Sequence, residues 1–96
     1  MRISTYVMTK GISDLKLNNT KFNHFVYECL HKFQCYHWGD VCEEDGLLND
    51  TALETGERII AVYETDLIAA GRIWIIADAE DDEGKRVLTI LLPSEY

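Results

Sequence analysis

The sequence predicts a single α+β domain: a small, mainly antiparallel sheet in the order β-α-α-β-β-β, with two helices packed on one face. Three observations predict it. An apolar stripe of helical period occupies residues 21–36. Three runs rich in β-branched residues follow residue 57, joined by short connections. The 96 residues, 47% hydrophobic, suit one modest core and contain no internal repeat, low-complexity tract or domain boundary.

Each element has its own local warrant. Residues 2–8 alternate like a strand, with Ile3, Thr5 and Val7 on one face and Ser4 and Tyr6 on the other. Gly11 breaks that pattern, and residues 12–17 supply a short helical turn at most, carrying Ile12, Leu15 and Leu17 inward. Asn18, Asn19 and Thr20 are N-cap candidates for the helix at 21–36. There Phe22, Phe25, Val26, Cys29, Leu30 and Phe33 fall on one face with the 3.6 period. Gly39 ends that helix or turns the chain after it.

A second helix is expected over 41–55, with Asp40 as N-cap and Glu43 three residues on. Glu43, Glu44 and Asp45 then lie where the helix dipole favours negative charge. Val41, Leu48 and Ala52 are its expected core residues, and Gly56 its C-cap. Residues 58–64, 72–77 and 86–92 read as strands. Residues 65–71 connect the first two, with an apolar stretch at 67–70 able to lengthen a strand. An acidic turn at 78–85 connects the last two, and Pro93 stops the final strand because it cannot donate to the ladder. Short connections favour antiparallel neighbours.

Charge divides the chain. Residues 1–37 carry Arg2, Lys10, Lys16, Lys21 and Lys32 against Asp14 and Glu28, a net of +3. Residues 38–96 carry four basic and fifteen acidic groups, a net of −11. That density repels a phosphate backbone and argues against direct nucleic-acid binding. It suits a partner with a basic surface, or serves solubility alone. No apolar run approaches the ~18 residues of a membrane span, and residues 1–10 lack the apolar core of a signal peptide. The expectation is a cytoplasmic protein without a membrane partner. The odd set Cys29, Cys35 and Cys42 then implies free thiols.

Three clusters are candidates for chemistry. His24, Cys29, His31, Cys35, His37 and Cys42 crowd into nineteen residues, but lack the C-x2-C pair usual in structural zinc sites. Cys29 belongs to the apolar stripe. No metal or cofactor is therefore assigned. Trp38 and Asp40, followed by Glu43, Glu44, Asp45 and Asp50, form a second cluster suited to binding. Alternatively Trp38 packs on the sheet, Gly39 turns the chain and Asp40 caps the helix. Asp78, Glu80, Asp81, Asp82 and Glu83 form the third; their spacing fails the EF-hand pattern and fits a solvated turn. Walker, Rossmann, nucleophile-elbow and H-E-x-x-H motifs are all missing, so nothing supports an enzyme.

Residues 37–45 (HWGDVCEED) stand with Asn49, Leu53, Gly56, Arg58, Ile59 and Ile60, then residues 73–76 (IWII) and 88–96 (LTILLPSEY). With residues 9–12 (TKGI), this set resembles a group of short plasmid-related proteins, loosely labelled type I restriction subunits. The resemblance spans most of the chain and implies a mobile-element context, with no catalytic residues attached. The 65–71 connection and the 78–83 turn depart from the pattern.

The leading expectation is a small acidic binding protein of a phage or plasmid-like element. It would inhibit or regulate a host nucleic-acid enzyme, in the manner of anti-CRISPR or anti-restriction proteins. Its partner-binding candidates are Trp38, Asp40, Glu43, Glu44, Asp45, Asp50, Asp78, Glu80, Asp81, Asp82 and Glu83. Two alternatives stand beside it. One is a metal- or thiol-dependent enzyme centred on His31, Cys35, His37 and Asp40. The other is a module that forms a homodimer through a sheet edge or through apolar surface around Trp74.

Overall fold

A computed structural model describes all 96 residues. It is an α+β fold with strands β1 (Ile3–Met8), β2 (Ile59–Glu64), β3 (Arg72–Ala77) and β4 (Arg86–Leu91). Its helices are α1 (Lys10–Asn18), α2 (Thr20–Gln34) and α3 (Glu43–Thr55), and a short 3-10 turn, Pro93–Glu95, follows β4. The sheet order is β1-β4-β3-β2.

The sheet is mixed. β2-β3-β4 is an antiparallel meander, as the short connections required, but β1 runs parallel to β4. The reason is the long connection. β1 and β2 point the same way, with all three helices between them, so the strand returning beside β1 must share its direction.

Three helices form rather than two. Gly11 lies inside α1 instead of breaking the chain; the helix packs there so closely on the end of the chain that a Cβ would come within 2.8 Å of the Leu92 side chain and 2.9 Å of Glu95. Ile12 is buried and Leu15 packs on the core, while Leu17 is exposed, contrary to its expected inward position.

α2 follows its periodicity. Asn19 caps it by accepting the Phe22 N–H at 3.0 Å. Phe22, Val26, Cys29 and Phe33 are fully buried. Opposite them stand Ile59, Ala61 and Tyr63 of β2, Ile73, Ile75 and Ala77 of β3, and Leu88 and Ile90 of β4, all in the same cluster. α2 ends with Tyr36 in the left-handed conformation at φ 65°, and the His37 N–H reaches back to the Lys32 carbonyl at 2.9 Å.

Two further readings are corrected. A register shift between Ile3 and Thr5 moves Ile3 onto the core while Thr5 and Val7 stay exposed, so these three do not share a face. Residues 67–70 do not lengthen a strand. The connection turns, with Ile68 buried and Leu67 packed on the core.

Candidate functional site

α3 and the β3–β4 turn carry the acidic candidates, and the residues that fasten them to the sheet come first. β2 is an edge strand, and unpaired edges invite association. Here the outward backbone groups are taken. Asn49 accepts the Ile60 N–H at 3.3 Å and donates to the Ile60 carbonyl at 2.8 Å. The Val62 N–H reaches the Trp38 carbonyl at 3.3 Å, and the Asp40 N–H donates to the Val62 carbonyl at 2.6 Å. Asp40 Oδ2 accepts the Glu64 N–H at 2.8 Å. The edge that sequence left open for dimerisation is closed on this side.

This fastening explains the segment between α2 and α3. Gly39 forms a bridge with Val62 at φ 76°, where a Cβ would lie 2.1 Å from the Val62 carbonyl oxygen. No other residue fits there. Asp40 does not cap α3, because its carboxylate is engaged by Glu64. The helix starts at Glu43 with Cys42 as N-cap, and Val41 precedes it. Trp38 is 6% exposed, packs edge-on to Phe33, and donates its indole N–H to Asp50 Oδ1 at 2.9 Å. Trp38, Asp40 and Asp50 are thus engaged within the fold.

A buried arginine locks the far end of α3. Arg86, 1% exposed, alternates with Leu88 and Ile90 and so points at the core face. Its guanidinium donates to the carbonyls of Glu57 at 2.5 Å, Ala52 at 3.0 Å and Asp78 at 3.2 Å, with Glu80 3.7 Å away. Ala52 is in the last turn of α3, where orphan carbonyls and the helix dipole favour a cation. Gly56 ends the helix at φ 83°, as its sequence position implied. The Glu80 N–H donates to the Gly56 carbonyl at 2.8 Å, so the acidic turn abuts the C-terminus of α3.

Within that turn Asp81 accepts the N–H groups of Glu83 and Lys85, both at 2.9 Å. These bonds hold its carboxyl below the ordinary value, led by the one from Lys85. Glu83 pairs with Lys85 at 3.1 Å. Glu43, Glu44, Asp45 and Asp82 make no ion pair or side-chain hydrogen bond. From Asp40 to Glu57 there are seven acidic residues and no basic one. On the same helix Leu47 and Leu48 are each 60% exposed, so Leu48 is not the core residue its spacing suggested. Val41, Leu48, Ile60 and Val62 line a groove between α3 and β2.

The Cys/His cluster disperses. No group of three or more His, Cys, Asp or Glu side chains converges on a point that would hold a metal ion. Cys35 Sγ and His31 Nε2 lie 3.8 Å apart on exposed helix surface. Cys29 is in the core, and burial pushes its thiol up to about 12. Tyr63 is raised by the same cause and donates its hydroxyl to the His37 carbonyl at 2.7 Å. No helix is long and apolar enough to cross a membrane.

Sequence reasoning missed Arg86 and Asn49, the two buried polar residues. The two-residue alternation Arg86-Leu88-Ile90 was the available signal for Arg86. Asn49 had none, because only the docking of α3 on β2 defines its partner.

No family model matches the chain, and neither a curated protein nor a solved structure does.

Proposed function

We propose that this protein is a small acidic binding protein of a phage or plasmid-like element, related to the plasmid-related group, that acts in the cytoplasm. It covers a basic surface on a host nucleic-acid enzyme and so inhibits or regulates it, as anti-CRISPR and anti-restriction proteins do. The observation that carries the reading is α3. The stretch from Asp40 to Glu57 is purely acidic, and the first-turn carboxylates Glu43, Glu44 and Asp45 have no internal partner. Beside them Leu47 and Leu48 offer apolar contact to whatever those charges attract.

The division of labour follows from the contacts. Glu43, Glu44, Asp45, Asp78 and Asp82, which have no ion pair within the fold, address the partner, with Glu83 beside them paired to Lys85. Trp38, Asp40, Asp50, Glu80 and Asp81 hold the presenting surface in shape. A net charge of −8 favours a basic protein surface over nucleic acid itself.

The test is affinity capture from the native host with the full chain and with a Glu43→Lys, Glu44→Lys, Asp45→Lys variant. The retained partner should weaken steeply between about 50 and 500 mM salt and disappear with the variant. Capture indifferent to both changes would remove this surface from consideration.

A further inference from the structure

The outward N–H and carbonyl groups of β2 are already bonded to Asn49, Trp38 and Asp40. A partner therefore cannot add a strand at this edge, and recognition falls to side chains. Those available line the groove of about 300 Å³ between α3 and β2. Its apolar walls are Val41, Ile60 and Val62, all half-buried, and Leu48, which is 60% exposed. Charge frames the groove unevenly. Asp45 lines it, and Glu43 and Glu44 stand one helical turn before Leu47 and Leu48 on the outward face of α3. None of these three carboxylates has an ion pair. The bond from the Asp40 N–H to the Val62 carbonyl sets the start of α3 beside Val62. Arg58, just before β2, lines the other end. Its guanidinium donates to the Tyr96 hydroxyl at 2.5 Å and lies 5.2 Å from the centre of the Tyr96 ring, with no acidic partner.

We infer that, on the reading of α3 as the partner-binding surface, this groove docks an amphipathic basic helix of the partner. One apolar side chain of that helix enters between α3 and β2, and Lys or Arg one turn away meet Glu43, Glu44 and Asp45. Charge complementarity selects this occupant: the unpaired acids want bases, and the apolar walls beside them want an apolar anchor. Spacing selects its form. Carboxylate and leucine are three and four residues apart on α3, about 5–6 Å between Cβ atoms, and a base and an apolar residue three or four apart on a second helix repeat that interval. A second copy of this chain, with the same acids at the same place, is repelled. Arg58 repels a base at the far end, so the helix docks in one direction, with its bases toward the start of α3.

The probe is a synthetic Leu/Lys peptide of about 18 residues, with its leucines on one helical face. It is titrated into the isotopically labelled full chain at about 50 mM salt and followed by NMR. The control peptide has the same composition in an order that scatters the leucines. The amphipathic peptide should bind about tenfold more tightly than the control, with the largest shifts at Val41, Leu48, Ile60 and Val62. Leu48→Ser should remove that advantage and leave binding of the control unchanged; the side chain is exposed, so the variant tests contact rather than folding. Arg58→Glu should tighten binding of the amphipathic peptide. Equal binding of the two peptides, an advantage that survives Leu48→Ser, shifts centred away from the groove, or no binding to about 1 mM would each overturn the assignment. Host capture indifferent to salt and to charge reversal removes the acidic surface itself. Capture that responds to both, yet is unchanged by Leu48→Ser, removes the groove alone.

Discussion

The carboxamide of Asn49, on α3, takes both backbone groups of Ile60, on β2, as a neighbouring strand would. A helix side chain thereby finishes the edge of the sheet. With the Trp38 carbonyl and the Asp40 carboxylate it satisfies the edge from Ile60 to Glu64.

Asn49→Ala should therefore cost about 2 kcal/mol, because it leaves a buried N–H and a buried carbonyl without partners. The corresponding fall in Tm is about 10 °C for a domain of this size. Thermal unfolding of the variant checks it, and an unchanged Tm would mean that water replaces the carboxamide freely.

Arg86 anchors three carbonyls from three segments, so its loss orphans all of them. Arg86→Met should cost at least about 3 kcal/mol, despite keeping much of the volume. Arg86→Lys should fall between, since one ammonium cannot span the donor positions of a planar guanidinium. Urea unfolding ranks the three chains, and equal midpoints for the methionine variant and wild type would refute the anchoring role.

The three thiols should separate kinetically. Cys35 and Cys42 are exposed, whereas Cys29 is buried with its thiol raised to about 12. The thiolate is the reactive form, so a disulfide reagent at about pH 8 should titrate two groups quickly. The third should appear only on unfolding. Three fast equivalents would place Cys29 outside the core.

Glu95 predicts a pH dependence. It accepts hydrogen bonds from the Thr9 hydroxyl and from the N–H groups of Gly11 and Leu92, joining the C-terminus to the start of α1. These bonds, the Thr9 one first, hold its carboxyl below the ordinary 4.5. A lowered folded-state value means stability that is complete above 4.5 and is lost as pH falls through the lowered value. Glu95→Gln should thus be less stable than wild type at pH 7. The gap should close as pH falls through the lowered value of Glu95, and a gap independent of pH would show that the charge is not what the bonds require.

The sequence by itself determined the elements whose signal is local. The Phe22–Phe33 stripe, the three strand runs after residue 57, the Asn19 cap and the Gly56 C-cap are all legible because period, propensity and capping act over a few residues. It also determined where negative charge is dense. Only the tertiary structure decided that β1 lies parallel to β4, since the pairing depends on how the chain crosses the sheet. The roles of Asp40, Asp50 and Asn49 were likewise out of reach: their partners Glu64, Trp38 and Ile60 lie 11 to 24 residues away.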